Sequence, residues 1–248
     1  AGSHFNTDGQ PIRRGGEDKG YDNTSALARV AHTFESGAEV GVLALRARGH
    51  NEYDGGENDF VQQVAGIYGE LPVTTTWRSR LTLSEARDEL DTMDNFGGSV
   101  IDTRTQPARW QNNIQLGAHE VIAGAEISED RVSSTNEFEV TSRDNTAVFT
   151  QALLDFSPFA IQASLRYDDN EAYGDEVTGS LALGYELDNY HTLRASIGTA
   201  FKAPSFNDLY WPNSGNPDLN PEKSETVEVG VRGQYNQWFW DVADFQND

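Results

Sequence analysis

The chain has 248 residues, a length that fits one large domain or two modest ones. Its 40 Asp and Glu outnumber 18 Lys and Arg, and the net charge of -22 repels phosphate backbones, which argues against nucleic acid as a partner. Since no cysteine is present, disulfides, thiolate zinc sites and cysteine nucleophiles are excluded. Hydrophobic residues make up 37 % of the chain and include 12 Phe, which is typical of a folded protein rather than a disordered one.

Apolar and polar residues alternate with a period of two along the whole chain, and this pattern predicts β-strands. In chain order the predicted strands are 23–34, 38–49, 60–71, 74–87, 97–106, 108–116, 120–129, 145–156, 159–168, 176–187, 191–202, 224–235 and 238–247. Segments 97–106 and 108–116 can instead form one strand interrupted at Pro107, and this merger leaves twelve strands. Helical periodicity is not convincing anywhere, so the sequence predicts an all-β, antiparallel up-and-down meander.

The connections between these strands alternate between short and long. The short ones are 35–37, 72–73, 117–119, 157–158, 188–190 and 236–237, and the long polar ones include 49–59, 87–99, 129–144, 168–175 and 203–223. Because a hairpin ladder reverses direction at each connection, all the short turns fall at one end of the sheet and all the long loops at the other. This segregation is typical of outer-membrane β-barrels.

Two architectures satisfy the alternation. A soluble β-sandwich turns its apolar faces inward, whereas a transmembrane barrel turns them toward lipid. The predicted strands are long enough to cross a bilayer when tilted. Their polar faces carry charges that would be costly in a soluble core unless paired, namely Arg166, Glu186, Arg194, Glu228 and Arg232. The pattern therefore favours the barrel.

Two adjoining stretches carry a longer motif, GTAFKAPSFNDLY over 198–210 and GNPDLNPEKSETVEVGV over 215–231. Together they resemble the signature loop and strand of TonB-dependent outer-membrane receptors. The matching residues are Gly215, Asn216, Pro217, Leu219, Pro221, Glu222, Lys223 and Ser224. Segments 109–126 and 164–187 are most similar to the cobalamin (vitamin B12) receptors of that family. The resemblance extends from about residue 6 to residue 248.

The resemblance implies a domain organisation. Residues 1–22 are expected to comprise a short cloning remnant, AGSH, and an extracellular-type loop. Residues 23–248 are expected to form about the third to the fourteenth strand of a 22-stranded barrel. A plug, a TonB box and the remaining strands would then lie outside this segment. The implied location is the outer membrane of a Gram-negative bacterium, and the implied partners are cobalamin or a related metal chelate, outer-membrane lipid and, through the plug alone, TonB.

The resemblance also implies a calcium site, because cobalamin receptors bind calcium through aspartates in two neighbouring loops. The matching positions lie in GGEDKGYDN (15–23) and HNEYDGGENDF (50–60). The expected ligands are Glu17, Asp18, Asp54 and Asp59, with Glu52 and Glu57 as substitutes. Carboxylate oxygens on flexible loops suit calcium. In this chain, however, Lys19 places a positive charge where the family has a ligand, and the alternative is a solvated acidic loop.

The loop that carries the motif also holds the expected ligand contacts, Tyr210, Trp211, Asn213 and Asn216. Aromatic and amide groups there suit a large polar ligand such as a corrinoid. Alternatively, Tyr210 and Trp211 pack the loop on itself or lie at the membrane interface. His32, His50, His119 and His191 show no metal-site spacing, and no nucleophile elbow is present, so an enzyme is not predicted.

Two rival functions remain open on the sequence. One is a soluble acidic β-barrel segment whose loops bind metal cations. Two free strand edges favour aggregation unless they are covered or pair with each other. Twelve strands can close into a smaller barrel in this way, and the isolated segment can then be water-soluble or dimeric. The other is a siderophore receptor of the same family, because the motif loop is shared across the family and does not decide the substrate.

Overall fold

The computed structural model describes residues 1–11, 16 and 18–248, and thirteen antiparallel strands form one sheet in chain order. The strands are β1 (Gly2–Thr7), β2 (Tyr21–Thr33), β3 (Glu39–Tyr53), β4 (Gly56–Pro72), β5 (Trp77–Asp94), β6 (Gly97–Leu116), β7 (His119–Ser134), β8 (Ser142–Phe156), β9 (Phe159–Asn170), β10 (Gly174–Glu186), β11 (His191–Lys202), β12 (Glu222–Tyr235) and β13 (Trp238–Asn247). One short helix, α1 (Phe206–Tyr210), lies between β11 and β12. Among the described residues no helix is long and apolar enough to span a membrane.

The all-β meander is confirmed, and the twelve predicted strands correspond to β2–β13. The merger at Pro107 is also confirmed, since β6 runs through it without a break. Pro107 pairs with Ser128 of β7, whereas the pairing with β5 is interrupted between Leu83–Ala108 and Ala86–Thr105. A proline has no backbone N–H to give to the ladder, so one side of the strand loses its pairing locally.

A further strand, β1, lies where the sequence pattern predicted none. Residues 2–7 pair with 21–26 of β2, and the amino group of Ala1 donates a 2.9 Å hydrogen bond to the carbonyl oxygen of Leu27. The residues expected to be a cloning remnant, AGSH, therefore take part in the sheet. Edge-strand pairing needs only backbone groups, so the polar composition of this stretch does not prevent it.

The predicted short turns lie together at one end of the sheet, but at the other end three predicted long loops are largely extensions of strands, and only three residues, 171–173, separate β9 from β10. Between β3 and β4 only Asp54 and Gly55 remain outside the ladder, and between β5 and β6 only Asn95 and Phe96. Gly55 has φ +91°, which favours glycine in so tight a turn. Polar residues on both faces hid these extensions, because strands that project into water no longer alternate.

The register assigns each side chain to a face. Charged residues Arg166, Glu186, Arg194, Glu228 and Arg232 share one face through the pairs between β9 and β12. The opposite face is apolar and exposed, as with Leu181 (50 %) and Ile67 (54 %). Only five hydrophobic side chains are buried among the described residues. The described residues thus form no second layer over the apolar face, which is the arrangement of a membrane barrel wall and not of a sandwich.

The sheet is open rather than closed into a ring. β1 pairs only with β2 and β13 only with β12 within the described part of the chain. Closure into a smaller barrel is therefore not observed. The open sheet still has a charged inner face, an apolar outer face and its longest loops at one end. These three features determine where a ligand can bind.

Candidate functional site

The loop over 203–221 is ordered by a helix cap. Ser205 Oγ accepts a 3.2 Å hydrogen bond from the backbone N–H of Asp208, and Asp208 Oδ2 accepts a 2.8 Å bond from the N–H of Ser205. This capping box satisfies two amide groups that a helix start leaves unpaired. The hydrogen bonds from the Ser205 hydroxyl and backbone N–H lower the pKa of Asp208.

Arg143 of β8 fastens this loop to the inner face of the sheet. Its Nη1 donates a 2.7 Å hydrogen bond to the carbonyl oxygen of Pro204, and its Nε donates a 3.1 Å bond to Asp130 of β7. The guanidinium also lies 4.9 Å from the centroid of the Phe206 ring. Phe206 and Leu209 are buried beneath the loop. The loop therefore folds back over the barrel wall instead of projecting freely into water.

The four predicted ligand contacts lie on this loop with different surroundings. Trp211 packs edge-on against Phe138 of the neighbouring connection, with ring centroids 5.8 Å apart, and Tyr210 lies 6.2 Å from Phe206. Asn213 is exposed in a left-handed turn with φ +62°. Asn216 is exposed and its Oδ1 accepts a hydrogen bond from the Asp218 N–H. The two aromatic residues thus support the loop, and the two amides point to its exposed rim.

The predicted metal ligands lie around the β3–β4 hairpin tip. Asp54 Oδ1 is 2.9 Å from Lys19 Nζ, and Asp59 Oδ1 is 3.0 Å from His50 Nδ1. The described contacts give no partner for Asp18, and Glu17 lies outside the described residues. Among the described residues, Asp18, Asp54 and Asp59 do not form a group whose ligand atoms lie together. Each of the two aspartates in the hairpin has a cationic or imidazole neighbour.

A different trio at the same tip is close together. Ligand atoms of His50, Glu52 and Glu57 all lie within 4.8 Å of one another. Glu52 also accepts a 3.0 Å hydrogen bond from the backbone N–H of Gly20, which ties the hairpin to the preceding loop. Both carboxylates are the substitute ligands that the resemblance implies, whereas His50 shows no metal-site spacing in the sequence.

Below the motif loop, a charge network lines the inner face. Arg166 binds Glu126 at 2.9 Å and Asp168 at 2.8 Å, and Arg109 binds Glu126 at 2.6 Å. Asp168 is only 4 % exposed, so its charge depends on the neighbouring Arg166 and on Asn145, which donates to it. These ion pairs offset the desolvation cost that an unpaired buried charge would have. The inner face of the sheet can therefore be polar without a loss of stability.

Sequence reasoning missed Arg143, Phe138 and Tyr173, although the loop depends on them. Tyr173 lies in the β9–β10 turn, 6.0 Å from the Arg143 guanidinium, and burial raises its pKa. No local pattern distinguishes Arg143 from the other charges in its polar stretch. Its partner Pro204 is 61 residues away, so only the register of the sheet reveals the contact.

The chain forms a single antiparallel sheet with an apolar outer face, an ion-paired inner face and its longest loops at one end. This combination defines an outer-membrane β-barrel of the receptor type. The chain belongs to the TonB-dependent receptor family: the family model described as TonB dependent receptor-like, beta-barrel, matches residues 2–248. These receptors are transport proteins of the Gram-negative outer membrane and are not enzymes.

Curated relatives are similar over nearly the whole chain. The vitamin B12 transporter BtuB of Photobacterium profundum is 31% identical over 240 residues, covering 94% of this chain and 40% of the relative. The protein of the same description from Vibrio vulnificus is 29% identical over 248 residues, with the same coverage. The chain thus spans about 40% of the length of these relatives.

Solved structures confirm the fold. The ferric enterobactin receptor PfeA of Pseudomonas aeruginosa superposes with a TM-score of 0.80 at 17% identity, covering 93% of this chain and 43% of that one. The siderophore receptor PirA of the same organism gives a TM-score of 0.76 at 18% identity, covering 93% and 46%. At identities of 17–18%, these similarities are evidence for a shared barrel architecture only.

Proposed function

We propose that this chain is a barrel segment of a receptor that takes up cobalamin-type ligands through the outer membrane. The observation that carries the proposal is the 31% identity over 94% of the chain to a vitamin B12 transporter. The solved siderophore receptors share the architecture at 12–18% identity, and identity that low is not evidence for a shared ligand. Sequence similarity therefore favours a corrinoid over a siderophore.

The motif loop supports a binding role of this kind. Asn213 and Asn216 present amide groups at the exposed rim, and Trp211 offers a half-buried ring beside them. A large ligand with amide side chains and an apolar ring face suits such a mixture of amides and aromatic surface. Asn213 and Asn216 are proposed to contact the ligand directly, and Tyr210 and Trp211 to hold the loop in position as well as to line it.

Calorimetric titration of the full-length protein with cyanocobalamin, and separately with a ferric catecholate siderophore, tests the proposal. Heat of binding with cyanocobalamin alone is the expected result. Trp211→Ala should weaken that binding, whereas Trp110→Ala, on the apolar outer face, should leave it unchanged. Binding of the siderophore and not of cyanocobalamin would show that the receptor serves the rival ligand.

Calcium is a second part of the proposal. The carboxylates of Asp18, Asp54 and Asp59, with Glu17, supply the oxygen donors that calcium takes, although Lys19 must first leave Asp54. We therefore expect Lys19→Ala to increase calcium affinity. Absence of binding heat at about 1 mM calcium, the weak end for extracellular sites, would reject this part and leave the cobalamin proposal standing.

Energised transport is proposed to need parts of the receptor beyond this segment. The relatives are about two and a half times as long as the aligned region. In this proposal TonB acts through a plug that fills the barrel, and the segment supplies wall and loops. Deleting the plug from the full-length protein should abolish uptake and retain insertion in the outer membrane.

A further inference from the structure

Two arginines project from the outer, apolar face of the sheet at its loop side. Arg46 and Arg48 lie on the same face of β3 as Val40 and Val42, and Val42 faces Val30 of β2 and Ile67 of β4. Val30, Val40, Val42 and Ile67 are 67%, 46%, 48% and 54% exposed, as a lipid-facing surface should be. The two guanidinium groups therefore follow directly on the apolar band, on the side of the wall that meets the membrane.

Their height on the strand places them at the membrane boundary. Arg46 and Arg48 are the eighth and tenth residues of β3, counted from the short-turn end of the strand at Glu39. A tilted strand crosses the hydrocarbon layer in about 9–11 residues. Since short turns lie on the periplasmic side of such barrels and long loops outside the cell, both arginines lie at the outer end of this crossing. Their long side chains can reach the headgroups of the outer leaflet from there.

Neither arginine has a charged partner in the part of the chain that the structure describes. Both are exposed, and among the described residues neither makes an ion pair or a side-chain hydrogen bond. Acids are abundant, 40 against 18 basic residues, so the lack of a partner is not a lack of carboxylates. The other arginines of the outer face show the contrast: Arg87 and Arg104 share Asp102, and Arg131 pairs with Glu129.

The residues facing them across the ladder are also free of negative charge. Arg46 is flanked by Ala26 of β2 and Gln63 of β4, and Arg48 by Thr24 and Val61. A phosphate approaching this patch therefore meets two cations, an amide and a hydroxyl. Carboxylates of the same face follow two residues further along the neighbouring strands, at Asp22 and Asp59, where they flank His50. Successive side chains on one face of a strand are about 7 Å apart, close enough for two guanidinium groups to hold one phosphate.

We propose that Arg46 and Arg48 form a binding site for the phosphate of an outer-leaflet lipid headgroup. Arginine binds phosphate oxygens through two parallel N–H donors and keeps its charge when desolvated. Its aliphatic stem can lie along the apolar band while the guanidinium reaches the headgroup layer. The site lies outside the barrel and is independent of the ligand that the loops capture.

Lipid retention by the full-length protein tests this site. The receptor is extracted from native membranes in a non-ionic detergent, and phosphate-bearing lipid adducts are counted by native mass spectrometry. The Arg46→Gln/Arg48→Gln double variant should retain on the order of 30-fold less of such lipid, since each arginine near an anionic surface contributes about fivefold. Arg131→Gln removes one charge from an ion-paired position of the same face and should retain the wild-type amount.

Two further arms identify the ligand. Nanodiscs of phosphatidylcholine doped with diphosphorylated lipid A should give adducts that nanodiscs doped with its dephosphorylated form do not, and inorganic phosphate should not displace them at moderate salt. Equal adducts in the wild-type protein and in a double variant that still shows the heat-modifiable mobility of a folded barrel would overturn the proposal. So would equal retention of the dephosphorylated lipid, or displacement by free phosphate. The readout does not depend on cobalamin binding, so the two proposals can fail separately.

Discussion

Arg143 Nη1 donates a 2.7 Å hydrogen bond to the carbonyl oxygen of Pro204, across 61 residues of sequence. The same guanidinium holds Asp130 of β7 and covers the Phe206 ring. One side chain thus links two strands of the wall to the loop that carries the family motif. The position of that loop over the barrel depends on this contact, and most of the predictions below concern it.

Arg143→Ala should release the loop over 203–221. The change removes two hydrogen bonds to a half-buried group and leaves Asp130 without its cation, at a cost of about 2–3 kcal/mol locally. Limited proteolysis should then cut within 203–221 faster than in the wild-type protein. Arg131→Ala serves as control, because its ion pair is exposed and such pairs contribute less than about 1 kcal/mol. Equal cleavage rates in the two variants would contradict the anchoring role.

Acid should loosen the same loop. The pKa of Asp208 is lowered in the folded loop, so its stabilising contribution is complete above the unfolded value of about 3.9 and is lost as the pH falls through the lower folded value. Hydrogen exchange of 203–221, corrected for intrinsic rates, should therefore show constant protection from neutral pH to about 4 and a decline below it. In Asp208→Asn this decline should disappear, and an identical decline in the variant would assign it to another group.

Gly215→Ala should destabilise the loop through a steric clash. A Cβ at this position would lie 2.5 Å from the Leu209 carbonyl oxygen and 2.6 Å from the Trp211 nitrogen, both backbone atoms. Relieving such overlap costs typically about 1–3 kcal/mol. The readout is cyanocobalamin affinity together with proteolysis of the loop.

Gly69→Ala is the matched control for that clash, because a Cβ there meets nothing within 4 Å. It should behave as the wild-type protein does. If both glycine variants are cleaved at the wild-type rate, the tight approach of residues 209–215 does not exist in solution.

Leu181→Arg should destabilise the barrel far more than Ser180→Arg. Leu181 is 50% exposed on the apolar face near the middle of β10, whereas Ser180 points to the inner face and shares a 2.7 Å hydrogen bond with Ser164. An arginine at the bilayer midplane costs about 2–4 kcal/mol, and an inner-face arginine remains in water. Denaturant unfolding of the full-length protein in lipid vesicles measures the difference, and reversed effects would exchange the two faces.

Much of the fold was predictable because its signals are local. Alternation of Leu181, Leu183 and Tyr185 with Ala182 and Glu186 is read from neighbouring residues, and so is the Pro107 interruption. Strand ends were less predictable. The β3–β4 and β5–β6 extensions project into water, where both faces are polar, and β1 pairs through its backbone alone.

The candidate site likewise has a part that could be predicted from the sequence and a part that could not. The motif loop and its residues Tyr210, Trp211, Asn213 and Asn216 were found from the sequence, since motif residues are contiguous. Their supports were not, because Arg143 and Phe138 reach the loop from distant strands and connections. At the hairpin tip, the His50, Glu52 and Glu57 trio likewise depends on the exact pairing of β3 with β4.

By itself, the sequence determined the all-β fold class, which residues share each face of a strand, and the family. A period of two and a contiguous motif can both be recognised without any knowledge of distant contacts. The tertiary structure decided the register, and with it the ion pairs of the inner wall and the anchoring of the loop by Arg143. It also decided that Arg46 and Arg48 have no ion-pair partner among the described residues. Those properties depend on which residues of neighbouring strands stand opposite one another. A shift of the pairing by a single residue would move every side chain of the shifted strand to the other face of the sheet, and these contacts would be lost.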